Sequence, residues 1–191
     1  MQQHYFIGIT IPPTFKNPIE MFKKKYQLET TYKVIPHLKD LHVTLLYLGA
    51  VSDELLPLLK SELLKISTRH STFRMHVDGL SYFGASNGPR VVYLSVTESK
   101  ALSSLQKEIE HTIAKQLDRP ISERFIPHVT IAKKRKPTDD LVIQKEKIPP
   151  IEVPVQSFSL FAVHPDQSPK YEALESFPLN TRHNSAVNLY L

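Results

Sequence analysis

The chain contains no cysteine. That removes disulfides, thiolate nucleophiles, Cys-ligated zinc and iron–sulfur clusters from its chemistry, and it fits a reducing, cytoplasmic setting. No run approaches the ~20 apolar residues that a membrane-spanning helix needs, so no membrane partner is expected. Ahead of the first apolar stretch, "MQQHYFIGITIPP" carries no Lys or Arg and its prolines close it early; a first β-strand is expected there, and a signal peptide is not. Also missing are a Walker-type glycine loop, an aspartate cluster for two-metal chemistry and a His-Glu-x-x-His pattern, which disfavours the common metal-dependent routes to nucleotide hydrolysis. Chemistry falls to His, Ser, Thr, Lys and carboxylates, and no metal or cofactor is expected.

What is present suits one compact soluble domain: 191 residues, 41% hydrophobic and 23% charged, close to globular averages. The 24 basic residues exceed the 19 acidic ones for a net charge of +5. That inclines the surface toward polyanions such as nucleic acids or phosphorylated metabolites without choosing among them.

Strands and helices interleave along the chain. "HYFIGITI" (4–11) is β-rich and ends at Pro12 and Pro13, and a short helix interrupted near Pro18 is expected after it. "LHVTLLYLG" reads as a strand ending at Gly49, and 52–67 as a helix with Ser52 as N-cap. A hairpin is expected from 72–84 and 89–97, followed by a helix over 99–117 with Leu102, Leu105, Ile109, Ile113 and Leu117 on one face. Further on, "TDDLVIQKEKI" is expected as a short helix, and "IEVPVQSFSLFAVHP" with "YEALESFPL" as a strand pair joined through "DQSPK". Hairpins among interleaved elements favour α+β over a doubly wound parallel sheet. The stretch 181–191 has no clear pattern and is expected to be a flexible tail, leaving 1–180 as the domain.

One pattern is written twice: "HVTLLYLG" from His42 and "HVTIAKK" from His128. His-x-Thr alone is a weak signal, and "HSTF" at His70 is a third occurrence. The first two differ from it in sitting within strand-like His-Val-Thr-aliphatic runs. Side chains alternate along a strand, so His and Thr share one face while Val43 or Val129 points into the core. Two similar lobes related by an approximate two-fold would bring both runs to one cleft. His37, His76, His111, His164 and His183 suggest no such pairing.

Two facing imidazoles suit the cleavage of a phosphodiester, in which one group takes a proton from the attacking oxygen and the other protonates the leaving oxygen. A histidine, with its ordinary pKa near ~6.5, serves either role at neutral pH without a metal. The threonines would hold the non-bridging phosphate oxygens.

These residues resemble the two-histidine phosphoesterases, and within them the RNA 2′,3′-cyclic phosphodiesterase branch, also called 2′-5′ RNA ligase-like. The resemblance covers most of the chain: the opening strand, both motifs, the hairpin "LSYFGASNGPRVVYLSV" with Phe83, Gly84, Pro89 and Arg90, and the closing "LFAVHPDQSPKYEAL" with Tyr171. It implies a bilobal α+β fold, a pseudo-two-fold pair of antiparallel sheets flanked by helices around a central groove. It further implies hydrolysis of a terminal RNA 2′,3′-cyclic phosphate to a 2′-phosphate, with ligation as the reverse reaction. On this mapping His42 is the proton donor, His128 the proton acceptor, and Thr44 and Thr130 bind phosphate.

Lys133 stands where the family commonly has arginine, which is not an equivalent phosphate ligand. Arg124 and Phe125 precede His128 closely enough to line the groove, one for phosphate and one for a base, and Tyr171 is a further candidate for substrate binding. The run Lys133–Lys136 leans toward a polymeric substrate. The expected partner is an RNA with a 2′,3′-cyclic phosphate terminus, tRNA fragments included, and the expected state is a monomer. Two other functions stay open: an esterase for a small cyclic nucleotide or ADP-ribose cyclic phosphate, and a non-catalytic RNA-binding module.

Overall fold

The computed structural model describes residues 2–121, 124–137 and 141–181. In chain order its elements are β1 (His4–Thr10), α1 (Lys16–Lys25), α2 (Leu28–Thr31), β2 (Tyr32–Val34), β3 (His42–Ala50), α3 (Leu56–Arg69), β4 (Phe73–Phe83), β5 (Val91–Val96), α4 (Lys100–Gln116), β6 (His128–Arg135), β7 (Glu146–Val155), β8 (Ser157–Val163) and β9 (Tyr171–Pro178). The fold is α+β, in keeping with the interleaved elements and hairpins of the sequence.

Eight strands follow one path, β7-β4-β5-β6-β3-β1-β8-β9, and β2 pairs with β6 beside it. All these pairings are antiparallel. The two halves of the path meet at a seam between β3 and β6, where the ladder holds a single pair, Val43 opposite Val129. Both valines are fully buried and join Leu59, Leu63 and Ile66 of α3 and Leu102, Leu105, Ile109 and Ile113 of α4 in one core cluster. The core therefore occupies the valine side of the seam, and the histidine side is left for a groove.

Helix α4 matches its expectation: apolar residues recur at helical spacing, and the Ser99 hydroxyl caps the start by accepting from the Leu102 amide at 3.2 Å. Other boundaries differ for identifiable reasons. Pro18 does not interrupt α1, because it falls in the first turn, where a missing N–H is an amide the helix leaves unbonded anyway. Helix α3 starts at Leu56 rather than after Ser52, with Pro57 in its first turn; Ser52 instead closes a turn by accepting from the Leu55 amide.

The short helix expected across 138–148 is not formed. Residues 138–140 lie outside the described residues, 141–145 are irregular, and strand begins at Glu146. Pro149 and Pro150 cannot donate to a ladder, and they sit where pairing skips from Ile151↔Val77 to Lys147↔Gly79, on an edge strand that can accommodate them. At that skip Gly79 lies so close to its neighbour that a Cβ would be 2.1 Å from the Glu146 carbonyl oxygen.

"IEVPVQSFSLFAVHP" also divides. β7 pairs with β4, and after Gln156 the chain enters β8, which pairs with β1 and β9 in the other half. Of the expected tail, only Thr181 lies among the described residues. Among those residues no helix is long and apolar enough to cross a membrane.

Candidate active site

The single pair Val43↔Val129 fixes the rest of the seam. In antiparallel pairing a step forward on one strand is a step back on the other, so His42 faces Thr130 and His128 faces Thr44. The two His-x-Thr units are thereby related by a local two-fold through the valine pair, and their histidines and threonines share one face.

Simple alternation would end this correspondence after the threonines, but both strands are bulged at the next residue. On β3 the partner register jumps from Gly8↔Thr44 to Ile7↔Leu46, leaving Leu45 as the extra residue. On β6 it jumps from Tyr93↔Thr130 to Val92↔Ala132, leaving Ile131 as the extra residue. A bulge sends two successive side chains to the same side. Leu45 is buried and Leu46 packs on the core, while Ile131 and Ala132 are both buried. The next residues, Tyr47 and Lys133, are consequently returned to the groove face beside the threonines. The repeat is thus His-x-Thr plus a bulge, and it delivers Lys133 to a site that strict alternation would turn it away from.

Each imidazole is anchored in the same way. Nδ1 of His42 donates to the carbonyl of Asp40 at 2.6 Å, and Nδ1 of His128 donates to the carbonyl of Ile126 at 2.7 Å. With the Nδ1 proton so engaged, a neutral ring keeps its lone pair on Nε2. For His42 that atom accepts from the Thr44 hydroxyl at 3.0 Å.

Aromatic rings enclose both histidines. Phe6 lies 4.5 Å from the His42 ring and Tyr171 stands edge-on at 5.1 Å; Phe83 stands edge-on to His128 and Tyr93 tilts against it, each at 5.0 Å. Burial among these rings pushes His42 down to about 4, opposed by its bond to Asp40 and reinforced by the positive charges of Lys133 and His128. Burial likewise lowers His128, opposed by its bond to Ile126. Both rings are therefore mainly neutral in the free protein at pH 7.

A groove of about 330 Å³ lies over the seam, lined by His42, Thr44, Thr130 and Lys133 with Phe6, Tyr47 and Tyr171 among its walls; His128 is not one of the lining residues and stands beside the groove on the same face of the sheet. Tyr47 is 56% exposed at its mouth, and its hydroxyl meets Nδ1 of His4 at 2.6 Å. Burial, with Asp40 and Tyr47 nearby, raises the Tyr171 phenol, so it remains a hydrogen-bond donor. Lys133 is lowered, first by burial and then by repulsion from Lys170 and Lys134. Arg124 is exposed, and Phe125 is half-buried against the core; neither is among the residues lining this groove. Among the described residues, no group of three or more His, Asp or Glu side chains is placed to hold a metal ion.

Nothing in the sequence singles out Asp40, which is 5% exposed. Its carboxylate accepts from the amides of Lys170 at 2.9 and 3.0 Å and Tyr171 at 3.1 Å, while its carbonyl holds His42. One residue thus ties the loop between β8 and β9, and with it Tyr171, to the ring of His42. At the matching place before His128 stands Ile126, which offers only a carbonyl. A carbonyl is common to every residue type, so the shared anchor leaves no mark in the sequence.

The model of the 2′-5′ RNA ligase superfamily matches residues 11–167. A Bacillus subtilis (strain 168) protein described as an RNA 2′,3′-cyclic phosphodiesterase is 30% identical over 189 residues, covering 94% of this chain and 98% of that one. The fold is shared with a crystal structure from Thermus thermophilus at a TM-score of 0.80 and 23% identity, over 94% of this chain and 100% of that one. It is shared too with Escherichia coli LigT, solved with 3′-AMP, at 0.76 and 23% over 95% and 100%. A family match over most of the residues, together with a relative aligned from end to end, means that the chain belongs to the 2′-5′ RNA ligase superfamily.

Proposed function

We propose that the protein hydrolyses a 2′,3′-cyclic phosphate at the end of an RNA chain to a 2′-phosphomonoester, without a metal. The observation that carries this reading is the two-fold arrangement of His42–Thr44 and His128–Thr130 on one face of the sheet, each histidine with its Nδ1 proton engaged so that the lone pair of the neutral ring is on Nε2. The Bacillus subtilis relative's description supports the same reaction.

In this mechanism water attacks phosphorus and gives its proton to Nε2 of His128, the bond from phosphorus to the 3′-oxygen breaks, and Nε2 of His42 protonates that oxygen. One water is consumed, and the two rings exchange their protonation states before the next turnover. The hydroxyls of Thr44 and Thr130 donate to the non-bridging oxygens as charge accumulates on them, and Lys133 adds a positive charge within the groove. Tyr171 supports the His42 ring and closes one wall. Arg124 and Phe125 belong, on this reading, to the path of the RNA outside the groove. The working unit is a monomer with one bilobal domain over 1–180, acting in the cytoplasm on RNA ends such as tRNA fragments.

The test is incubation with an RNA ending in 2′,3′-cyclic phosphate in EDTA. The expected product is heavier by one water and carries a phosphatase-sensitive 2′-phosphate. A 3′-phosphate product, or activity that returns only with added divalent ion, contradicts the mechanism; cleavage confined to small cyclic nucleotides reassigns the substrate.

The depressed His42 gives the donor role a pH signature. A proton donor is active when protonated, and in the free protein His42 loses its proton above about 4. The bound phosphate's negative charge favours the imidazolium, so the group holds its proton to higher pH in the complex. The alkaline fall of kcat/KM, which reports the free protein, is accordingly expected at lower pH than that of kcat. An alkaline fall of kcat at or below the pH of that of kcat/KM would contradict this shift.

A further inference from the structure

We propose that a second cleft beside the groove, bearing Lys134, Lys170 and His37, binds the phosphodiester on the 5′ side of the terminal nucleotide, so that the site is built for a polynucleotide rather than a free cyclic nucleotide. This rests on the cyclic-phosphate reading above and extends it to the rest of the substrate.

The cleft holds about 200 Å³ and is continuous with the groove, since Pro36, Asp40, Lys133, Val163 and Tyr171 line both. Its own walls add His37, Lys134, Ser168 and Lys170, with Ile35 and Pro165 as an apolar floor. A chain anchored at its cyclic end over His42 has its preceding linkage to place, and this is an adjoining recess with charge of the right sign.

Positive charge is concentrated there, since Lys133, Lys134 and Lys170 line one recess. Lys23, Lys25, Lys60, Lys65 and Lys147 each face a carboxylate within ion-pair distance. Among the described residues no carboxylate forms an ion pair with Lys133, Lys134 or Lys170. The acid lining the cleft is Asp40, whose carboxylate is already bonded to the Lys170 and Tyr171 amides. Burial lowers Lys133 first, and repulsion from Lys170 and Lys134 adds to it against the opposing charge of Asp40. A cluster of like charges around a recess is relieved by an anion that enters it.

The backbone supports the same purpose. Lys134 has φ 61, the left-handed region that a non-glycine residue seldom occupies. The departure from regular strand lets Lys133 and Lys134, consecutive on β6, both line the cleft, which alternation forbids. Strain of this kind persists where the surrounding structure and a function hold it. The Lys170 amide donates to the Asp40 carboxylate, which fixes the backbone from which this residue lines the cleft.

The experiment compares wild type with the double variant Lys134→Ala/Lys170→Ala on two substrates that share a terminal base: 2′,3′-cyclic AMP and an oligoadenylate ending in 2′,3′-cyclic phosphate. Wild type is expected to prefer the oligonucleotide in kcat/KM, and the double variant to lower that preference about tenfold, mainly through KM. Lys134→Arg/Lys170→Arg is expected to restore it. The salt dependence of oligonucleotide binding should become shallower by about 0.7 for each phosphate that is no longer neutralised. An unchanged preference, or equal loss on both substrates, overturns the proposal.

Binding of a fluorescent oligoadenylate with a 2′-phosphate end separates the two readings. If wild type cleaves neither substrate, the cyclic-phosphate reading fails, and the cleft is judged on whether the alanine pair weakens this binding and the arginine pair preserves it. Equal binding by all three proteins refutes the cleft as a phosphate site, and a melting temperature matching wild type certifies the variants as folded.

Discussion

His42→Ala and His128→Ala are each expected to lower kcat on an RNA 2′,3′-cyclic phosphate end by about 10²–10⁴-fold, the usual contribution of a positioned acid or base. That corresponds to roughly 2.7–5.4 kcal/mol of transition-state stabilisation at 1.36 kcal/mol per tenfold. On the proposed mechanism KM should move little, because Thr44, Thr130 and Lys133 remain to hold the phosphate. The double variant should fall well short of the product of the single losses, since an acid–base pair acts as a unit. His70→Ala is the matched control. His70 also belongs to a His-x-Thr triplet, but its Nε2 engages the Glu108 carboxylate at 2.6 Å beside Arg69, away from the groove. Its removal should leave kcat within about twofold of wild type, because this half-buried pair is not part of the groove lining. Near-normal turnover by either His42→Ala or His128→Ala would end the two-histidine mechanism.

The second large effect separates the roles. A leaving oxygen needs a proton as its bond to phosphorus breaks, whereas a sulfur in the same bridging position departs as a stable thiolate without one. A substrate with sulfur in place of the 3′-oxygen should therefore restore His42→Ala to within about tenfold of wild type on that substrate, recovering most of the acid's 10²–10⁴-fold contribution. His128→Ala should gain nothing, because activation of water is unaffected by the leaving atom. The reverse pattern, with rescue of His128→Ala alone, would exchange donor and acceptor. The near-equivalence of the two anchors, each an Nδ1–H bonded to a carbonyl two residues earlier, is why this experiment and not the geometry of the rings must decide.

Much of the architecture was legible because it depends on local periodicity. The spacing of Leu102, Leu105, Ile109 and Ile113 marks α4, and the Ser99 cap marks its start. Alternation in "HVT" places each His with its Thr and turns each Val inward, as the fully buried Val43 and Val129 show. The irregular context of His70 distinguishes it from the other two triplets. Reading failed where proline's effect depends on position: Pro18 and Pro57 sit harmlessly in first turns, while Pro149 and Pro150 occupy a skip in an edge ladder that the chain around them does not announce.

The sequence by itself determined the chemical repertoire. Without cysteine it left the chemistry to imidazoles, hydroxyls, lysines and carboxylates, and one histidine–threonine pattern written in two halves of the chain pointed to the imidazoles and hydroxyls of repeated strands. Only the tertiary structure decided how these groups share a site. The register Val43↔Val129 sets each histidine against the other strand's threonine. Bulges at Leu45 and Ile131 bring Tyr47 and Lys133 back to the groove face, and Asp40 joins a distant loop to the ring of His42. Each of these depends on a partner far along the chain: a bulge exists only relative to the strand beside it, and a buried carboxylate acquires its role from the amides that reach it. Side-chain types and local period are properties of a segment, whereas register and facing are properties of a pair.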